Sequence, residues 1–186
     1  MVTNKAVFLD RDGTIVIEVN YCRHPEDIKL YPKAPQAIKM LNESGFKVIL
    51  VTNQSGIARG YFNEDTLSQI HAKMLSDLSA HGAGIDAIYY CPHHPDDGCN
   101  CRKPQPGNLL QAAEDWDIDC RASFVIGDRL MDIELARNTD CRSVLVTNTR
   151  GLRELKNSDA QPDFIAHDIG EAAEWVVSNS HGKLSE

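Results

Sequence analysis

The chain has no uninterrupted apolar run near the ~20 residues that a membrane-spanning helix requires. It also lacks an excess of positive charge: 19 Lys and Arg stand against 27 Asp and Glu, for a net charge of −8. That balance argues against broad affinity for nucleic acid or anionic lipid, since both need clustered cations. The opening MVTNKAVFLD has no basic segment followed by an apolar one, so no secretory leader is expected. No internal repeat or low-complexity tract is present, which sets aside a repeat array. Tryptophan occurs only twice, within helical patterns, and is read as packing rather than as a base-stacking platform. These absences lead to the expectation of a cytoplasmic globule, a monomer, that binds neither nucleic acid nor membrane. Thiols stay reduced in that compartment, so structural disulfides are not expected among the six cysteines.

What is present is an alternation of short apolar runs with helical patterns. The length of 186 residues suits a single domain, 1–186, with a core that needs no staples. Strands are expected at 6–9, 47–52, 87–91, 123–127, 143–147 and 163–167. Most are continuous apolar runs, as for strands covered on both faces. Helices are expected at 34–45, 63–82, 107–117, 130–140 and 169–179, the first two ending in Gly and the second opening on Asn and two acids. The tail, 180–186, is expected to fray. This pattern predicts an α/β fold, a Rossmann-like doubly wound parallel sheet with helices on both faces. Only 37 residues separate Asp12 from Leu50, and one helix fills part of that span, so no large cap domain is expected.

In such sheets ligands bind beyond the carboxyl ends of the strands. The first strand is followed by DRDGT (10–14), the second by NQSG (53–56), the third by a Cys/His-rich loop with Arg102 and Lys103, and the fourth by DRLMD (128–132). Asp10, Asp12 and Asp128 thus meet at one edge, with Gly13 permitting the bend that lets both early acids reach it. Three such acids repel one another unless a divalent cation joins them, and an all-oxygen set with few protein groups suits Mg²⁺. With the cation present, Asp10 is a candidate nucleophile toward phosphorus, and Asp12 a candidate acid and base for leaving group and water. Thr52 and Lys103 are placed to hold phosphoryl oxygens.

The stretch CPHHPDDGCNCRKP (91–104) carries two close pairs, Cys91-x-His93 and Cys99-x-Cys101. Their spacing fits a closed Cys₃His zinc site, a zinc-binding loop over 91–101. A disulfide leaves one of the three cysteines over, and a metal-free loop is the plain alternative. Spacing alone does not choose between His93 and His94. Cys22, Cys120 and Cys141 are read as packing residues, and His24 and His71 as surface or loop residues.

FLDRDGT, VTNQSG, RKP and IGDRLMD, in this order, resemble the four motifs of the haloacid dehalogenase superfamily of phosphohydrolases, across essentially the whole chain. TNQSGIARGYF (52–62), YYCPHHP (89–95) and CNCRKPQPG (99–107) are similar to a narrower branch, the heptose-bisphosphate phosphatases. The resemblance implies Mg²⁺ on the Asp10 carboxylate, the Asp12 main-chain carbonyl and Asp128, an aspartyl-phosphate intermediate on Asp10, and structural Zn²⁺ with His93 as the ligand. It implies that Arg102 recognises substrate, and that Glu18, Val19, Asn20, Tyr21, Asn53, Gln54, Ser55 and Arg129 lie where the branch contacts its sugar. The substrate implied is a small sugar bisphosphate on the route to a lipopolysaccharide precursor, its second phosphate held by Arg102, with Arg59 and Arg129 as further candidates. The short PDDG insert is shared with histidinol-phosphate phosphatases, which stand as the alternative enzyme. A zinc-stabilised scaffold without activity is the non-enzymatic one.

Overall fold

A computed structural model of the chain describes residues 3–147 and 149–180. Six strands form one sheet: β1 (Ala6–Leu9), β2 (Lys47–Asn53), β3 (Ala87–Cys91), β4 (Phe124–Gly127), β5 (Arg142–Val146) and β6 (Phe164–Ala166). Their order is β3-β2-β1-β4-β5-β6, and every neighbouring pair is parallel. The chain steps outward from β1 to β3, then returns to β4 on the other side of β1. That reversal opens a crevice beyond the ends of β1 and β4, the position at which such sheets bind ligands.

The helices are α1 (Ala34–Glu43), α2 (Glu64–Ser79), α3 (Gly107–Asp115), α4 (Leu130–Asn138), α5 (Thr149–Lys156) and α6 (Ile169–Asn179). Alternation along β1 divides the interior into two layers. Val7 and Leu9 pack on one face with Ile38 and Leu41 of α1, Ile70 and Met74 of α2 and Val176 of α6. Ala6 and Phe8 pack on the other with Leu109 of α3 and Leu135 of α4. All four β1 side chains are fully buried, each large one contributing roughly 1.5–3 kcal/mol of apolar burial. Both faces of the sheet are thus covered, as the unbroken apolar runs predict.

Local signals explain the boundaries. The Asn63 side chain accepts from Thr66 N–H at 2.9 Å and so starts α2. The fourth strand begins one residue later than expected, because Ser123 turns its hydroxyl to Ala6 N–H (2.9 Å) and Asp119 C=O (2.6 Å). The sixth strand is shorter than expected at both ends. Helix α5 was not anticipated: TRGLRELK has Leu152 and Leu155 as its only large apolar residues and a glycine inside it, which blurs a helical period. Trp175 packs as expected, stacked on Phe164 at 5.0 Å between ring centres. Among the described residues no second domain lies between β1 and β2. Of the tail expected to fray, Ser180 is the one residue described; the others lie outside the described residues.

Candidate active site

The first strand ends at Leu9, and the next residue keeps sheet geometry, with Asp10 N–H donating to Ile126 C=O at 3.0 Å. The chain then turns sharply. Gly13 adopts a φ of +87°, and a Cβ there would lie 2.3 Å from Asp128 Oδ2. Glycine is required twice over, for its backbone and for the close approach of the β4 carboxylate. Beyond these strand ends lies a cavity of about 260 Å³. Its lining includes Asp10, Asp12, Thr52, Lys103 and Asp128, and also Glu18, Val19, Asn20, Tyr21, Asn53, Gln54, Ser55, Arg102 and Arg129. Each of these was expected at the site. Arg59 was not placed there: it is exposed and absent from the lining. Its position on the turn after β2 carries it outward.

Lys103 is buried, and its Nζ lies 2.7 Å from Asp10 Oδ1 and 2.7 Å from Asp132 Oδ1. Burial works against its charge, but the Asp10 and Asp132 carboxylates outweigh it and hold its pKa above the usual value. Asp132, unnamed in the sequence reading although it ends DRLMD, is itself buried, and its other oxygen accepts from Arg129 N–H at 3.1 Å. Both of its oxygens therefore serve protein donors, and its work is to aim Lys103. The Lys103 main chain is clamped as well: its N–H donates to Asn53 Oδ1 (3.0 Å) and its C=O accepts from Asn53 Nδ2 (3.2 Å).

One oxygen each from Asp10, Asp128 and Asp132 lie within 4.8 Å of one another. Burial raises the Asp10 pKa to about 6, against the pull of Lys103. Burial, then Asp10, Asp132 and Glu18, raise that of Asp128 to about 8. Acids this crowded resist ionising together at neutral pH, and a hard divalent cation against Asp10 and Asp128 relieves the repulsion. The donor set, all oxygen with few protein groups, fits magnesium.

Asp12 is held by a buried network. Arg11, 1% exposed, donates to Asp12 Oδ2 from Nη2 (2.8 Å) and to Gln54 Oε1 (3.1 Å). Gln54 Nε2 donates in turn to Asp12 Oδ2 (3.0 Å) and Thr52 Oγ1 (2.9 Å). Because Thr52 Oγ1 accepts from Gln54, its own O–H is left to donate elsewhere. The expectation that His71 is a surface residue is corrected here: it is 7% exposed, and its Nε2 accepts from Arg11 Nη1 at 3.3 Å. Burial, with Arg11 close by, lowers its pKa to about 4, so the ring is neutral at pH 7 and can accept that bond. A lone histidine inside a helical pattern gave no signal of this; the buried charge it faces comes from a residue 60 positions away in the chain. His24 is exposed, as expected.

In the Cys/His loop, Cys91 Sγ lies 3.6 Å from Cys99 Sγ and from His93 Nδ1. Cys101 Sγ lies 3.6 Å from Cys99 Sγ and 3.2 Å from His93 Nδ1. Sulfurs so spaced are not bonded, since a disulfide is about 2.05 Å long. The spacing is that of ligands around one ion with Zn–S near 2.3 Å. His94 points elsewhere, its Nδ1 accepting from Asp96 N–H at 3.4 Å. Gly98, at a φ of +63°, turns the second pair back toward the first. Arg102 follows directly, and its Nη1 is buried without a hydrogen-bond partner among the described residues.

The HAD-hydrolase-like family model matches residues 100–172. The chain is 40% identical over 188 residues to the D-glycero-D-manno-heptose-1,7-bisphosphate 7-phosphatase of Thermosynechococcus vestitus, covering 94% of this chain and 96% of that one. It is 37% identical to the D-glycero-beta-D-manno-heptose-1,7-bisphosphate 7-phosphatase of Pseudomonas aeruginosa, with 92% and 97% covered. The crystal structure of D,D-heptose 1,7-bisphosphate phosphatase from B. bronchiseptica, complexed with magnesium and phosphate, superposes with a TM-score of 0.88 at 36% identity. That likeness covers 94% of this chain and 99% of the other.

Proposed function

The chain belongs to the D-glycero-D-manno-heptose-1,7-bisphosphate 7-phosphatase family of HAD-like hydrolases, and on that premise we propose that it removes the 7-phosphate of D-glycero-D-manno-heptose 1,7-bisphosphate. Its class is that of a phosphoric monoester hydrolase. The observation that carries the reading is the Asp10 carboxylate on the cavity wall, with Lys103 at 2.7 Å and Asp128 beside it.

In the proposed reaction an Asp10 oxygen attacks the phosphorus of the 7-phosphate, and the bond from phosphorus to the sugar oxygen breaks. Asp12 gives its proton to the departing oxygen. It then takes a proton from the water that attacks the aspartyl-phosphate, which releases inorganic phosphate and restores Asp10. Lys103 and the free O–H of Thr52 hold the phosphoryl oxygens as their charge spreads. A bound magnesium ion, held by the Asp10 and Asp128 carboxylates and the Asp12 carbonyl, would supply the neutralising charge that lets anionic reactants meet. Arg102, with its unpartnered buried nitrogen, recognises the substrate, and the loop residues Glu18 to Tyr21 face the sugar.

The Cys91, His93, Cys99 and Cys101 set holds one structural Zn²⁺ with no open position. Its role is to pin the loop that delivers Arg102 and Lys103. The enzyme works as a cytoplasmic monomer on this reading, supported by six cysteines that form no disulfide. A phosphate-release panel tests the substrate: heptose 1,7-bisphosphate, the matching monophosphates and histidinol phosphate, with and without Mg²⁺. The bisphosphate is expected to give the highest kcat/KM, and only with the metal. A higher value for histidinol phosphate would overturn the reading.

A further inference from the structure

Helix α5 brings a further arginine to the cavity, beside Arg11, Arg102 and Arg129. Arg150 lies on its wall, beyond the end of β5, although nothing in the motifs marks it. It is tied to Arg129 through one carboxylate. Arg129 donates to Glu154 from Nε (3.0 Å) and Nη2 (2.6 Å), and Arg150 donates to the same Glu154 from Nε at 3.3 Å. Glu154 is also fixed from below, accepting from Leu130 N–H at 3.2 Å. A single carboxylate thus holds two guanidinium groups, one at the head of α4 and one at the head of α5.

Arg102 keeps an Nη1 unpartnered among the described residues on the β3 side of the cavity, but the other cations near it are largely committed. Arg11 serves Asp12, Gln54 and His71. Lys103 serves Asp10 and Asp132. Arg129 turns its Nε and one terminal nitrogen to Glu154. Arg150 uses Nε for the same partner, and most of the five donors of a guanidinium remain for another anion. Glu154 cancels one of the two positive charges it holds, so the pair keeps a net charge of +1 facing the cavity. Asp10, Asp12 and Asp128 make the floor acidic, and one phosphoryl group with its metal and Lys103 needs no cation so far along the sheet edge. Arg102 and Arg150 follow β3 and β5, on opposite sides of β1 in the strand order.

We propose that Arg150, steadied together with Arg129 by Glu154, binds the second, non-reacting phosphate of a bisphosphate substrate and sets the preference for bisphosphates over monophosphates. This rests on the sugar-bisphosphate reading above. A forked donor suits the oxygens of a phosphate, and binding energy from a remote group orients the reacting one.

The test is steady-state kinetics with heptose 1,7-bisphosphate and heptose 7-phosphate on wild type, Arg150→Ala, Arg150→Lys and Glu154→Gln. Arg150→Ala is expected to narrow the bisphosphate preference in kcat/KM by about tenfold or more, chiefly through KM for the bisphosphate, as loss of a charge-assisted contact does. Arg150→Lys should recover part of it, since a point charge replaces the fork. Glu154→Gln leaves both cations charged but loosens them, and should shrink the preference through kcat. A preference unchanged in Arg150→Ala, or a loss equal for both substrates, would overturn the assignment. A wild type that shows no bisphosphate preference would instead overturn the reading on which it rests.

Discussion

Lys103 Nζ sits 2.7 Å from Asp10 Oδ1, the ammonium buried and the carboxylate opening on the cavity beyond the end of β1. Burial and the charge of Asp132 still raise the Asp10 pKa to about 6, but the ammonium opposes them and so favours the ionised carboxylate that acts as nucleophile. Asp10→Asn removes the attacking oxygen without changing shape. It is expected to lower kcat by about 10⁴-fold or more while the melting temperature holds or rises. Rapid-quench mass spectrometry checks the mechanism, because an aspartyl-phosphate adduct should appear in wild type and not in this variant. Near-normal phosphate release by Asp10→Asn would contradict covalent catalysis.

Gly13→Ala should be severe for its size. Its φ of +87° and the 2.3 Å approach of Asp128 Oδ2 leave no room for a methyl group. The strain is about 1–3 kcal/mol. Displacing Asp128 by even 1 Å should lower activity about a hundredfold and weaken Mg²⁺ binding. Magnesium titration by calorimetry checks the second effect, and an unchanged affinity would show that Asp128 is not a ligand.

His71 predicts a pH dependence of stability. Its pKa is about 4 in the fold and about 6.5 unfolded, so below pH 6.5 the unfolded chain binds the extra proton. Stability from this group is complete above pH 6.5 and is lost as pH falls toward 4, on the order of 3 kcal/mol in all. Urea unfolding at several pH values should show this fall, and His71→Gln, which does not titrate, should flatten that part of the profile. A parallel slope in the variant would assign the effect to other groups.

The zinc reading predicts about one zinc per chain in freshly purified, unchelated protein. Cys99→Ser should lower the zinc content and, by loosening the loop before Arg102 and Lys103, lower kcat with the core still folded. Protein that contains no zinc yet keeps full activity would remove the loop's proposed role.

Much of this was legible in the sequence, for a physical reason. Asp10, Asp12, Thr52 and Asp128 stand at or just past the ends of apolar strands, and a parallel sheet brings such positions to one edge; Lys103 follows the Cys/His loop after β3 and depends on that loop for its place. The Cys/His pairs are short-range, so spacing alone implied their closure, and geometry then chose His93 over His94. The sites that escaped depend on long-range packing. Arg11 and His71 are 60 residues apart in the chain and meet only because α2 covers the turn after β1. Asp132 stands in the first turn of α4, where acids are common, and only the fold brings Lys103 onto it. Arg150 and Glu154 sit on a helix too polar and too short to announce itself, and Arg59, which does follow a motif, faces away.

The central claim is that Asp10 removes the terminal phosphate of a sugar bisphosphate and leaves the anomeric one. Phosphorus NMR of heptose 1,7-bisphosphate during turnover with Mg²⁺ tests it most directly. The account predicts that the 7-phosphate resonance is replaced by inorganic phosphate while the anomeric resonance keeps its full intensity, and that Asp10→Asn leaves both in place. Loss of the anomeric resonance first, or turnover by Asp10→Asn, would contradict it.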